Sequence, residues 1–281
     1  MKAKIKVFFQ RISKVLKRPD MILLPGQLAF FLVLAIIPTM TLITYAASVL
    51  NVSMDFIYDF LQKAFSTDIA NLMLSTGAGG NAGLKLTIVI VVCYYLASNG
   101  AASVIVTSNA IYGVKNGNWF QRRFKAIVMS IIFVLLLVFL LIVPIFGDQI
   151  IYLIESVNLN SHVTKIIVEI FNLLKNPVMW IFLFFLIKII YVMAPDRKIV
   201  AHNANYGAIF TTVAWIIMTE LYSFYINHLA NYTAFYGGLT SVCVLMMWFY
   251  FLAYFFVIGM SLNYQKESEE LEKTGAIKKV K

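Results

Sequence analysis

Six apolar runs, each long enough to cross a bilayer, dictate what this chain can become. They lie at approximately residues 26–50, 84–110, 124–146, 178–194, 206–228 and 239–262, and a helix needs ~20 apolar residues to span about 30 Å of hydrocarbon. Inside hydrocarbon a lone segment must satisfy its own backbone N–H and C=O groups, which a helix does and an open strand does not. Barrel strands would be shorter and would alternate in polarity. With 13% charged residues among 281, where a soluble domain carries roughly 25%, the chain also lacks the polar surface to coat a water-soluble globule. The expected fold is all-α, a polytopic bundle of six spans with amphipathic helices at the N-terminus and in the outer loops.

Lysine and arginine set the orientation. The segment before the first run, the loops after the second and fourth runs, and the C-terminal tail hold eighteen of the 23 basic residues. The opposite side holds Lys63, Lys85, Lys165 and Lys175, and Lys188 falls within a run. Basic residues accumulate on the cytoplasmic side of a membrane protein, so both termini are expected there, and an even number of spans requires them to share a side. The domains are then 1–25, a basic amphipathic cytoplasmic segment; 26–263, the six-span domain; and 264–281, a charged cytoplasmic tail. A cleaved signal peptide fits poorly, because the first run is too long for a signal core and contains Pro38. Ile5, Phe8, Phe9, Ile12, Val15 and Leu16 recur at helical spacing between basic residues, a pattern that suits either the headgroup layer or an ordinary basic tail. Membrane lipids, anionic ones included, are the expected partners. Nucleic acid is not, since no basic segment carries a base-reading motif. Residues 53–74 and 163–174 read as outward-facing amphipathic helices.

Polar residues concentrate on two runs. Ser98, Asn99, Ser103, Thr107, Ser108 and Asn109 fall within twelve positions of the second. At about 100° per residue they cover roughly half the helix surface, and that half cannot face acyl chains. On the fifth run Thr212, Thr219, Glu220, Ser223 and Asn227 share a narrower stripe. Glu220 lies about 21 Å from the start of its run, where a carboxylate is costly unless neutralised, paired or wet, so it is expected to face the bundle interior. Lys188 sits about 12 Å away in depth and is expected to snorkel to the inner interface rather than pair with it. The stripes serve either to pack helices or to line a polar cavity, for which Glu220, Ser223, Asn227, Thr212, Thr219, Asn99, Ser103 and Asn109 are the candidates. Pro38 and Pro144 permit kinks that open room for it, or merely shape the bundle.

Catalytic chemistry finds little support. His162, His202 and His228 are scattered and none forms the i, i+4 pair of a metal site. Cys93 and Cys243 sit inside apolar runs as small hydrophobes. Phosphate-loop and nucleophile-elbow motifs are missing. The acids Glu267, Glu269, Glu270 and Glu272 suggest a solvated helix rather than a two-metal centre. Neither an enzyme, a cofactor nor a metal is expected.

Several stretches carry a resemblance. "LAFFLVLAIIPTMTL" in the first run, "NAIYGVK" at 109–115, "YVMAPDRKI" at 191–199 and "NYTAFYGGLTSVCVLMMWFYFLAYFFVIGMSLN" at 231–263 resemble the YihY/virulence factor BrkB family, once mislabelled ribonuclease BN. By that resemblance Tyr112 and Gly113 match the family's "IYG", Pro195 its Pro-Asn pair, Tyr236 and Gly237 its "YGSL", and Trp248 and Tyr250 its "WLY". Asp196 replaces the family's Asn, and Ser261 stands where the family has an acid. The resemblance implies a six-helix domain in the bacterial cytoplasmic membrane and names no substrate. Together with the stripes it leads to the expectation of a transporter or lipid-handling protein with a polar intramembrane cavity. The alternative is a non-transporting scaffold or envelope-integrity protein, and a membrane-tethered ribonuclease is least favoured.

Overall fold

A computed structural model describes residues 10–13, 15–17, 20–49, 84–132, 135, 161–229 and 239–273. The described residues are helical, without strands, and form α1 (Asp20–Val49), α2 (Leu84–Tyr112), α3 (119–132), α4 (Ser161–Met193), α5 (Asn205–Leu229) and α6 (Leu239–Lys273). Four segments are long and apolar enough to cross a membrane: Val91–Tyr112, Asn176–Met193, Asn205–Tyr225 and Cys243–Glu272, with the shorter apolar stretch Met21–Ala35 in α1. Most of the third predicted run, with Pro144, and the predicted helix at 53–74 lie outside the described residues.

α1 packs on α2 and α6, while α5 packs on α6 and α4. Small residues set the separations. A Cβ on Gly100 of α2 would already meet Ala35 Cβ of α1 at 3.2 Å. The α5–α6 crossing is closer still, since a Cβ on Gly207 would lie 2.0 Å from the Gly259 carbonyl oxygen, so two backbones touch where neither residue has a side chain. Beside this crossing Tyr191 of α4 is fully buried. Its hydroxyl donates to the Phe256 carbonyl at 2.8 Å and shares a 2.7 Å hydrogen bond with Thr211 Oγ1, so one side chain joins three helices. Trp215 Nε1 adds a second α5–α6 tie to the Leu252 carbonyl at 2.9 Å.

Two expectations are corrected here. Residues 163–174 are not a separate amphipathic helix, because α4 runs unbroken through Pro177. Proline removes one backbone donor and strains one carbonyl, which a long helix tolerates in a membrane protein when neighbours re-satisfy the backbone. Nor does Glu267 lie on a solvated tail: it falls within the segment Cys243–Glu272 of α6 and is packed to 8% exposure.

Candidate functional site

The candidate site lies where α2 ends. Gly113 adopts φ 64°, a left-handed conformation that only glycine takes without penalty, and so closes the helix. The Val114 N–H returns to the Asn109 carbonyl at 2.8 Å and the Gly113 N–H to the Ala110 carbonyl at 3.4 Å, the paired bonds of a Schellman terminus. That turn brings Asn116 beside Asn109, whose Nδ2 donates to Asn116 Oδ1 at 2.9 Å and to Asp196 Oδ2 at 2.7 Å. The Asp196 N–H donates back to Asn109 Oδ1 at 2.8 Å. Lys125 of α3 completes the cluster, its Nζ donating to Asp196 Oδ1 at 2.7 Å and to the Ala194 and Pro195 carbonyls at 2.9 and 2.8 Å. Burial pushes the Asp196 carboxyl up, but hydrogen bonds from Lys125 and Asn109, the Lys125 charge and the Gly117 N–H outweigh it and hold the group below its ordinary value.

A second layer ties the same end to α6. Arg197 pairs with Glu267 and lies over the Tyr112 ring, 4.9 Å from its centroid. Tyr112 meets Tyr264 edge-on at 5.4 Å. The N-terminal segment joins through Arg11, 2.5 Å from Glu269. The Gly207 N–H, in the first turn of α5, donates to Asn263 Oδ1 at 2.6 Å, so a side chain of α6 satisfies a donor that the helix itself leaves open. The loops after α2 and α4, the end of α6 and the N-terminal segment therefore meet at one basic end of the bundle.

The predicted site residues divide into two groups. Ser98, Ser103, Thr107, Ser108 and Asn109 are buried, and Asn99, partly buried, accepts from Arg123 at 2.8 Å. Ser98 bonds its own helix, whereas the hydroxyls of Ser103, Thr107 and Ser108 have no hydrogen-bond partner among the described residues. On α5, Thr212 is buried and bonds the Ala208 carbonyl at 2.8 Å, beside a shallow apolar groove of about 280 Å³ between α4 and α5. Thr219, Glu220 and Ser223 lie on the exposed face. Glu220 is thus exposed rather than turned into the bundle: α6 packs against α5, and among the described residues α5 makes no extended contact with α2. Trp248 stacks on Tyr222 at 5.1 Å, and Tyr250 lies near Gly26 of α1. Ser261 is buried. Lys188 lines an apolar groove with Phe185 and Met193. Tyr236, Gly237 and the side chain of Asn227 lie outside the described residues.

Sequence reasoning missed Tyr191, Thr211, Asn116 and Gly207, and it treated Lys125 and Arg197 only as orienting charges. The available signal was the motif blocks themselves: "IYG", "APD" and the "GMSLN" stretch, far apart in sequence, all fall at this one end. The family model described as virulence factor BrkB matches residues 12–280. The chain belongs to that family. Among relatives of this BrkB-family chain, YfkH of Bacillus subtilis, whose name carries the words ribonuclease-like, is 27% identical over 85% of this chain and 87% of its own length. A UPF0761 membrane protein of Prosthecochloris aestuarii is 26% identical over 88% of this chain, which spans only 58% of that longer relative. Another UPF0761 membrane protein, from Idiomarina loihiensis, is 28% identical over 37% of this chain and 36% of its own length. No solved structure matches the chain.

Proposed function

We propose that this BrkB-family chain is a six-span lipid-handling protein of the bacterial cytoplasmic membrane, with both termini cytoplasmic. The observation that carries the reading is Glu220, a carboxylate on the exposed face of the apolar segment Asn205–Tyr225. An exposed acid within a span is expensive in hydrocarbon, and that cost falls when the face meets polar headgroups or water. Thr219 and Ser223 extend the same polar face, along which a headgroup can travel while its acyl chains stay in lipid. The orientation is supported by the basic end, where Lys125, Arg197 and Arg11 converge. The ribonuclease-like wording of YfkH is not carried over. Asp196, Glu267 and Glu269 face Lys125, Arg197 and Arg11, which leaves these acids committed to ion pairs instead of metal ions.

Glu220→Gln removes the charge at nearly constant shape. Lipid movement should slow while thermal stability is unchanged, and equal activity at equal stability would remove Glu220 from the account. A second reading, a non-transporting scaffold, is favoured by the close Gly207–Gly259 crossing. It predicts no lipid movement by either protein.

A further inference from the structure

Arg123 is held unlike the ion-paired cations of the basic end. Arg11, Lys125, Arg197 and Lys266 each face a carboxylate. Arg123 faces only neutral groups among the described residues: Nη1 donates to Asn99 Oδ1 at 2.8 Å, Nη2 to the Tyr95 carbonyl, and the guanidinium lies over the Tyr95 ring, 3.4 Å from its centroid. Its charge is therefore positioned with no counter-charge among the described residues.

The location matters as much as the partners. Tyr95 and Asn99 belong to the apolar segment Val91–Tyr112, and Asn99 precedes Tyr112 by about 20 Å of helix at ~1.5 Å per residue. Arg123 thus lies along the wall of a membrane span. That wall is open: Tyr95 is 45% exposed, and Phe120 and Phe124 on α3 are 80% and 71% exposed. Trp119 packs edge-on against Phe120 at 4.9 Å. Arg122 and Lys115 lie on the same short stretch of chain, and no described acid pairs with either.

A guanidinium carries five N–H donors. With one used on each terminal nitrogen, one N–H remains on each, and stacking on Tyr95 fixes the plane from which they project. Two such donors suit a phosphate diester, which Arg binds in a bidentate manner. The surrounding exposed aromatics suit acyl chains and glycerol rather than bulk water. We propose that Arg123, set by Tyr95 and Asn99, binds the headgroup phosphate of an anionic phospholipid drawn in against the α2–α3 wall. This site is on the α2–α3 wall and does not rest on the role given to Glu220 on α5.

The test uses the full chain in mild detergent, supplied with equal phosphatidylglycerol and phosphatidylcholine and analysed by native mass spectrometry. The wild-type chain should retain phosphatidylglycerol selectively. Arg123→Gln should lower that retention roughly tenfold, the scale of one lost charge-assisted contact, with Arg123→Lys between the two. Unchanged retention in Arg123→Gln, or no preference in the wild type, overturns the proposal. So does loss of bound lipid to millimolar inorganic phosphate, because the site would then serve a free anion. If Arg123→Gln does not stay folded, Arg123→Lys decides, since it keeps the charge and loses the bidentate fork: reduced retention supports the lipid site and full retention overturns it.

Discussion

Replacing Gly207 by alanine places a Cβ 2.0 Å from the Gly259 carbonyl oxygen and 2.6 Å from Asn263 Nδ2, where ordinary contact begins at 3.4 Å. The shortfall against the carbonyl is about 1.4 Å, and both obstacles are difficult to move. One is helix backbone, and the other holds the Gly207 N–H at 2.6 Å. The helices must therefore part locally, loosening the Tyr191 hydrogen bonds next to the crossing. Overpacking of this kind costs about 1–3 kcal/mol, and the upper end applies because no side-chain rotation relieves it. At about 2–3 kcal/mol the folded-to-unfolded ratio falls roughly 30- to 150-fold. Two other glycines calibrate the estimate. A Cβ on Gly26 meets nothing closer than 4.0 Å, so Gly26→Ala should stabilise by up to ~1 kcal/mol through helix propensity. Gly100→Ala, with Ala35 Cβ at 3.2 Å, should fall between them. Unfolding of the full chain in mixed micelles gives the order directly. A Gly207→Ala chain as stable as the wild type would mean that α5 and α6 do not cross at this pair.

The Asp196 cluster should respond to acid. Because the folded-state carboxyl titrates below its ordinary value, its contribution is complete above the unfolded aspartate value of ~3.9 and disappears as pH falls through the lower folded value. The stability gap between wild type and Asp196→Ala should therefore hold from neutral pH to about pH 5 and close on further acidification; a gap that closed between pH 6 and 8 would assign the effect to another group. The Thr107 hydroxyl is fully buried without a partner among the described residues, so Thr107→Val should leave stability unchanged or raise it by about 1 kcal/mol, since it deletes an unmet polar group at constant shape. A loss of stability in the same unfolding assay would reveal a bound partner for that hydroxyl.

Much of the bundle could be read from the sequence because hydrocarbon leaves few choices. A run such as 84–110 has to be a helix, and a helix that is polar over half its surface must bury that half, as α2 does with Ser98, Ser103, Thr107 and Asn109. The same logic failed for Glu220. Periodicity identifies a distinct face but not its neighbour, and with α6 packed against α5 the distinct face turned outward. The polar cluster was legible only as separate fragments. Asn109, Lys125 and Asp196 are brought together by the glycine-closed end of α2 and the loop after α4, and no local pattern announces pairing over 87 and 71 positions. Glu267 was misjudged for a related reason: four acids in six residues read as solvated until Arg197 and Arg11 are found beside two of them.

The central claim is that the exposed polar face of α5 handles lipid. Its most direct measurement follows a headgroup-labelled phospholipid in vesicles reconstituted with the full chain, using a membrane-impermeant quencher to report label arriving from the inner leaflet. The account predicts that wild-type vesicles lose inner-leaflet protection and that Glu220→Gln slows this loss at unchanged thermal stability. Inner-leaflet label that stays as protected as in protein-free vesicles would contradict the account and leave the close-packed scaffold in its place.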